Sequence, residues 1–189
     1  MTFEDYKTKE SVVVVYTGEG KGKTSAAIGL TARALGAGWR VAFIQFVKHW
    51  QVSEHDFFEK ISPLYIDNFL FYKGGKGFYN AGALSEKNIS TAEHKQAAAK
   101  TFDKAITAAS GGDFDIVICD EINNAVYDGL LDTSQLDKLI GSRSPNTSLC
   151  LTGRNFPEIL LDKVDIATHM TKMKHHFDDK FLANKGIDF

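Results

Sequence analysis

Apolar positions fall in short blocks along the chain, and the period changes from block to block. Val12-Val13-Val14-Val15-Tyr16 is an unbroken β-branched and aromatic run that ends at a glycine-rich turn. That pattern predicts a strand buried on both faces. Over residues 23–37, Ala26, Ala27, Leu30, Ala34 and Leu35 recur at helical spacing, and Gly36 and Gly38 close the run. Val41 to Phe46 is a second buried strand. Strand, helix and strand in this order predict a βαβ unit with parallel strands and a right-handed crossover. Residues 64–72 (LYIDNFLFY) predict a third strand, and residues 90–109 an alanine-rich helix with Ser90 as its N-cap. FDIVIC (114–119) and SLCLT (148–152) predict two further strands, and Asp165 to Met170 a last short one. Pro145 and Pro157 sit in connections, and no internal repeat or linker interrupts the pattern. The expected architecture is one α/β domain over residues 1–189, with a polar segment at 1–10 and a mostly parallel central sheet between layers of helices.

The turn between the first strand and first helix carries the chemistry. It reads Thr17-Gly18-Glu19-Gly20-Lys21-Gly22-Lys23-Thr24-Ser25. Strand, glycine-rich turn, Lys-Thr and helix make a P-loop, so the expected fold is P-loop NTPase-like. Glycines let the backbone curl until several N–H groups face one anion, and the helix N-terminus adds partial positive charge. Lys23 would neutralise phosphate oxygens, and the Thr24 hydroxyl would meet Mg2+. The general pattern wants glycine five residues before Gly22; here that residue is Thr17, and Lys21 is an extra lysine inside the turn.

A second constellation closes the strand at 114–119: Asp120 and Glu121. Such a strand is expected beside the first one, with an acid meeting the metal directly or through water. The sequence leaves open which of the two does so. Arg154, leaving the strand at 148–152, suits a fork to phosphate oxygens. Arg33 and Lys48 are further cationic candidates. His175-His176 resembles a metal pair, but adjacent residues on a strand face opposite ways, and Asp178-Asp179 reads as solvated surface.

Bulk properties narrow the function. The net charge of -2 creates no field favouring nucleic acid or an anionic membrane. Apolar runs are far too short to span a bilayer, and the first ten residues lack a signal-peptide pattern. Cys119 and Cys150, in strand-like runs, read as buried thiols of a cytoplasmic protein. No Ser-His-Asp spacing, Cys-x-x-Cys pair or His-Glu-x-x-His occurs, so the protein offers a phosphate cradle without an evident nucleophile. A nucleotide hydrolase or small-molecule kinase fits this, as does a transferase whose second substrate brings its own nucleophile.

From about Val12 to Phe189 the sequence resembles the P-loop type of ATP:corrinoid adenosyltransferases. The resemblance rests on residues 17–25 with Arg33, on Gln45-Phe46-Val47-Lys48, and on Gly77-Phe78. It continues through Asp120-Glu121-Ile122-Asn123, Thr152-Gly153-Arg154, Lys174-His175-His176-Phe177-Asp178 and Gly186-Ile187-Asp188-Phe189. Thr17 is normal for that family. The resemblance implies that cobalt(I) of cobalamin or a precursor corrinoid attacks C5′ of ATP and the whole triphosphate leaves. It implies ATP contacts from Gly18 to Ser25 and Arg33, catalytic roles for Lys23, Arg154 and Glu121, and Mg2+ or Mn2+ on Thr24 with Asp120 or Glu121. It further implies a homodimer and a flavin or ferredoxin electron donor. Family members place Phe and Trp in a Gly-Phe-x-Trp segment against the corrin. Phe78 matches, but Asn80 stands at the Trp position, so Tyr79 or Trp50 is expected to substitute.

Overall fold

The computed structural model describes residues 4–77, 79 and 88–189. Among them a six-stranded sheet runs in the order β3-β2-β4-β5-β1-β6, with every neighbouring pair parallel. The strands are β1 Val13–Thr17, β2 Val41–Gln45, β3 Phe69–Lys73, β4 Ile116–Asp120, β5 Ser148–Thr152 and β6 Ile166–His169. Because all are parallel, their carboxyl ends share one edge, and Thr17, Gln45, Asp120, Thr152 and His169 meet there. This is the edge where open α/β sheets hold ligands.

Side-chain alternation divides the core into two layers. Val13, Val15, Ile44, Val117, Leu149 and Leu151 pack with Ala98, Phe102 and Ala105 of α3 (Thr91–Ser110) and Leu136 and Leu139 of α5 (Thr133–Ser142). On the other face Phe43, Ile116, Ile118 and Cys150 pack with Ala27 and Leu35 of α1 (Lys23–Gly36) and Phe58 of α2 (Ser53–Ile61). The central strands are covered on both sides, which is why they read as continuous apolar blocks. Ser90 caps α3 as expected: its hydroxyl accepts from the Glu93 N–H, and the Glu93 carboxylate accepts from the Ser90 N–H.

The structure differs from the sequence expectation in three places. The acidic strand β4 is not beside β1, because β5 lies between them. The strand expected over 64–72 begins only at Phe69; Ser62–Tyr65 is a 3-10 turn with proline in its first positions, and Leu64 and Ile66 are exposed. Three helices fall outside the sequence reading: α2, α5 and the short α4 (Ile122–Tyr127). All three are short, from 6 to 10 residues; α5 buries Leu136, Leu139 and Ile140 along one face and is capped by Asp132, whose carboxylate accepts from the Gln135 N–H.

Candidate active site

The P-loop leaves β1 at Thr17 and enters α1 at Lys23, with Gly22 at φ 113° as the cap. Gly18 and Gly20 are required by proximity. A Cβ on Gly18 would stand 2.5 Å from the Met170 carbonyl oxygen, and one on Gly20 2.7 Å from it. The chain leaving β6 presses directly on the loop, and the Gly20 N–H donates to that carbonyl at 2.7 Å. Thr17 is held on both sides: its hydroxyl accepts from the Phe156 N–H at 3.1 Å, and its carbonyl from the Met170 N–H at 2.7 Å. Threonine therefore does a locking task at the position where the general pattern has glycine.

Lys23 curls back over the loop. Its ammonium donates to the Gly18 and Gly20 carbonyls at 2.7 and 2.8 Å. Burial pulls Lys23 below its ordinary pKa; Glu121 opposes that shift and Arg154 adds to it. Thr24 reaches the other way, donating to Asp120 at 3.0 Å.

Asp120 and Glu121 are adjacent in sequence but differ in environment. Asp120 is fully buried and surrounded by donors: the Thr24 hydroxyl, the Thr152 hydroxyl at 2.7 Å and the Gln45 amide at 2.9 Å. Thr152 comes from β5, so the intervening strand bridges the acidic strand to the P-loop. Glu121 turns out of the sheet at φ 64°, a left-handed conformation uncommon for glutamate. Its N–H donates to the Thr152 hydroxyl at 2.9 Å, and its carboxylate accepts from the Asn124 amide. Burial, and then the neighbouring Asp120 charge, raise the Glu121 carboxyl from 4.5 to about 7.

Glu121 faces a cavity of about 840 Å3 that the P-loop also lines. Lys48 lines it too, donating to Glu54 of α2 at 2.6 Å. Burial pulls Lys48 down, but Asp120, Glu54 and Glu121 together outweigh it and the net shift is upward. Arg154 stands at the mouth, 3.0 Å from Glu19, with its backbone N–H donating to Asn124. The opposite wall is the C-terminal segment, including Ile187 and Phe189, joined by Phe57 of α2. Asp188 secures that wall. It lies 3.0 Å from Lys21 and accepts from the Asn184 N–H at 2.8 Å. The Asn184 N–H first, and then Lys21, hold Asp188 below the usual carboxylate range.

Thus the structure brings Glu19 to Ser25, Lys48, Glu121 and Arg154 around one cavity, with Asp120 directly behind. Arg33 stands exposed in the last turn of α1, ten residues and ~15 Å along the helix from Lys23, and does not line the cavity. Trp50 is half-buried between β2 and α2. Tyr79 is half-buried against α3, its hydroxyl 3.3 Å from that of Thr91 and its ring 5.2 Å from that of His94. Neither aromatic lines the cavity. Phe78 lies outside the described residues. The expectation that His175 and His176 diverge is overturned. His175 precedes a 3-10 turn, His176–Asp179, rather than lying in a strand. Both rings are 4.7 Å apart and face Asp188, at 4.0 and 3.5 Å. Among the described residues no group of three or more His, Cys, Asp or Glu could hold a metal ion by itself. A cation here needs the Thr24 hydroxyl and oxygens of a bound ligand.

The sequence reading missed Asp188 and Glu54 as site residues. Only the Gly-Ile-Asp-Phe ending signalled the first, and nothing local signalled the second.

The family model described as ATP:corrinoid adenosyltransferase BtuR/CobO/CobP matches residues 9–189, which takes in every part of this site. The chain belongs to that family. It is 30% identical to the corrinoid adenosyltransferase of Pseudomonas aeruginosa, over 97% of this chain and 86% of the relative. It is 28% identical to the corrinoid adenosyltransferase of Escherichia coli strain K12, over 96% of this chain and 87% of the relative. Among solved structures it is similar to the flagellar accessory protein FlaH from Methanocaldococcus jannaschii. That match has a TM-score of 0.54 at 13% identity, covering 85% of this chain and 71% of the other. It bears on fold alone. Among the described residues no helix is long and apolar enough to cross a membrane.

Proposed function

We propose that this protein transfers the 5′-deoxyadenosyl group of ATP to the cobalt of a reduced corrinoid. The observation that carries this reading is the family match over residues 9–189, coinciding with a P-loop that opens into a cavity of about 840 Å3. The electron pair of cobalt(I) forms the Co–C5′ bond, the C5′–O5′ bond breaks, and its electrons leave on the triphosphate. Since the acceptor is the nucleophile, the protein's work is alignment and charge stabilisation.

The residues present suit that work. Lys23, held by two backbone carbonyls, exchanges them for phosphate oxygens, and Arg154 exchanges Glu19 for the same ligand. Lys21 adds a third cation from within the loop. The Thr24 hydroxyl and the Glu121 carboxylate are oxygen donors suited to a hard divalent cation, Mg2+ or Mn2+, with Asp120 orienting Thr24 from behind. Such a cation would neutralise charge on the departing chain.

In this reading residues 1–189 form one domain that acts in the cytoplasm as a homodimer, with a flavin or ferredoxin system as the electron source. Phe78 is the aromatic wedge beneath the corrin, assisted by Tyr79 or Trp50. Arg33, distant from the cradle in its own chain, is read as an ATP residue only through the resemblance.

The test is to mix the protein with ATP and chemically reduced cobalamin, following the corrinoid spectrum and the phosphate products. Adenosylcobalamin with triphosphate released only when reduced corrinoid is present supports the reading. ADP and phosphate formed without corrinoid would instead mark an NTPase, and ADP with a phosphorylated product a kinase.

A further inference from the structure

Behind Asp120 a line of polar groups runs through an otherwise apolar layer. The Gln45 amide nitrogen donates to Asp120 at 2.9 Å, and the Gln45 carbonyl oxygen lies 2.6 Å from Nε2 of His55. The other ring nitrogen of His55, Nδ1, lies 3.4 Å from the Val52 N–H. Gln45, His55 and Asp120 are all at most 1% exposed. Their surroundings include Phe71, whose ring centroid is 5.6 Å from that of His55.

The polarity of this line follows from one fact. The Asp120 carboxylate accepts, so Gln45 must turn its NH2 toward it. The Gln45 oxygen then faces His55, so Nε2 must carry the ring proton. Nδ1 is left with its lone pair toward the Val52 N–H, at the cap of α2. Burial and then the Lys73 charge lower the His55 pKa, which suits a neutral ring with this single tautomer. Every donor has one acceptor, and reversing any member places two acceptors or two donors face to face inside the core.

We infer that His55 is a positioning residue for the metal–triphosphate site, acting through Gln45 to fix Asp120 and thereby the Thr24 hydroxyl. Packing alone does not call for it, since leucine or methionine would fill the space beside Phe71 without a buried polar atom to satisfy. The arrangement also gives the site mechanical continuity. α2 supplies Glu54, the partner of Lys48, and Ser53, whose hydroxyl donates to the Phe189 carbonyl at 2.9 Å. His55 therefore joins the wall of the cavity to the acid directly behind it. The inference rests on the P-loop binding metal and triphosphate as proposed above, but not on the identity of the acceptor.

Three variants test it: His55→Leu removes the N–H and keeps the bulk, His55→Gln returns an N–H near the Nε2 position, and Gln45→Met breaks the line in its middle. ATP binding is measured by calorimetry with graded Mg2+ and again with EDTA. Mg2+ dependence of adenosyl transfer is followed in parallel. Outer partners of metal ligands typically cost about ten- to a hundredfold in metal affinity when lost. His55→Leu and Gln45→Met should raise the Mg2+ requirement by that factor, while ATP binding in EDTA and the KM for corrinoid stay at wild-type values. His55→Gln should recover most of the loss. Should the leucine variant fail to fold, the methionine variant carries the same comparison. Equal losses in His55→Leu and His55→Gln, or losses that are the same with Mg2+ and with EDTA, overturn the inference and leave His55 a packing residue. Because calorimetry needs no corrinoid, a failure here is separable from a failure of the adenosyl-transfer reading.

Discussion

Lys21 and Asp188 stand 3.0 Å apart, so the P-loop is tied to a residue 167 positions further along the chain. The contact makes the C-terminal segment a wall of the cavity that the P-loop lines. Replacing Asp188 with Asn has two opposing effects: it frees Lys21 for phosphate, and it releases the wall that Ile187 and Phe189 form. A partly exposed ion pair holds its lysine weakly, so the first gain is small and the second effect wins. Asp188→Asn should raise the KM for ATP severalfold and speed proteolysis after Lys185, with ATP giving less protection than in the parent. A lower KM would show that Asp188 acts as a competitor for Lys21 instead.

Lys23→Ala should slow transfer about a hundredfold. A charged contact to a developing anion is worth on the order of 3 kcal/mol, about a hundredfold in rate. The two carbonyls that hold Lys23 lie in a loop that the Met170 region already supports, so the thermal midpoint should change little. Turnover near the parent rate at saturating ATP would remove Lys23 from the reaction.

Glu121 sets a pH dependence on the stability of the metal-free protein. Its folded value is raised from 4.5 to about 7, so the folded state holds this proton more tightly than the unfolded chain does. Its contribution is complete below 4.5, is lost as pH rises, and is gone above about 7. Glu121→Gln should leave the melting temperature unchanged near pH 4.5 and stabilise the protein at pH 8 by on the order of 3 kcal/mol. Melts in EDTA at both pH values check this. A variant equally shifted at both would show that burial of Glu121 is not the source. Asp120→Asn should behave oppositely, destabilising at neutral pH, because an amide NH2 would then face the donors that now converge on the carboxylate.

The glycines of the loop and of the helix behind it should respond with opposite signs. Gly20→Ala forces a methyl to 2.7 Å from the Met170 carbonyl oxygen and should eliminate ATP binding. Gly29, in the exposed interior of α1, meets nothing within 4 Å. Gly29→Ala should stabilise by about 0.5–1 kcal/mol with activity intact. Thermal melts with ATP titration read both, and a Gly20→Ala protein that still binds ATP would mean the loop can move away from β6.

Phe78→Ala tests the proposed corrin wedge. A bulky aromatic that displaces the axial ligand matters only when cobalt(II) must be reduced. The variant should slow transfer starting from cobalt(II) far more than transfer from preformed cobalt(I), with ATP affinity unchanged. Equal losses in the two assays would assign Phe78 to anchoring its segment.

What could be read from the chain was whatever is local. The P-loop was legible because its residues are consecutive, and β1, β2, β4 and β5 were placed to within a residue or two because each is a short apolar run beside polar residues. The division of labour between Asp120 and Glu121 was not, since it depends on Thr152 and Gln45 arriving from neighbouring strands in register. It also depends on a single backbone angle at Glu121. Strand order escaped for the same reason: nothing within 114–121 says that β5 will lie between it and β1. His175 and His176 were misjudged because their local run carries no sign of the turn that points both at Asp188.

Cys119 and Cys150 lie buried in β4 and β5 as free thiols, and burial, with the Asp120 charge nearby, pushes both well above their ordinary values. They are the chain's two cysteines, so maleimide dyes should leave the native protein unlabelled. One cysteine introduced at exposed Asn184 or Lys185 would then carry a fluorophore as a unique label. Whether the segment over the P-loop moves when ATP binds could be read in a stopped-flow mixer, without first stripping the protein of its own sulfur.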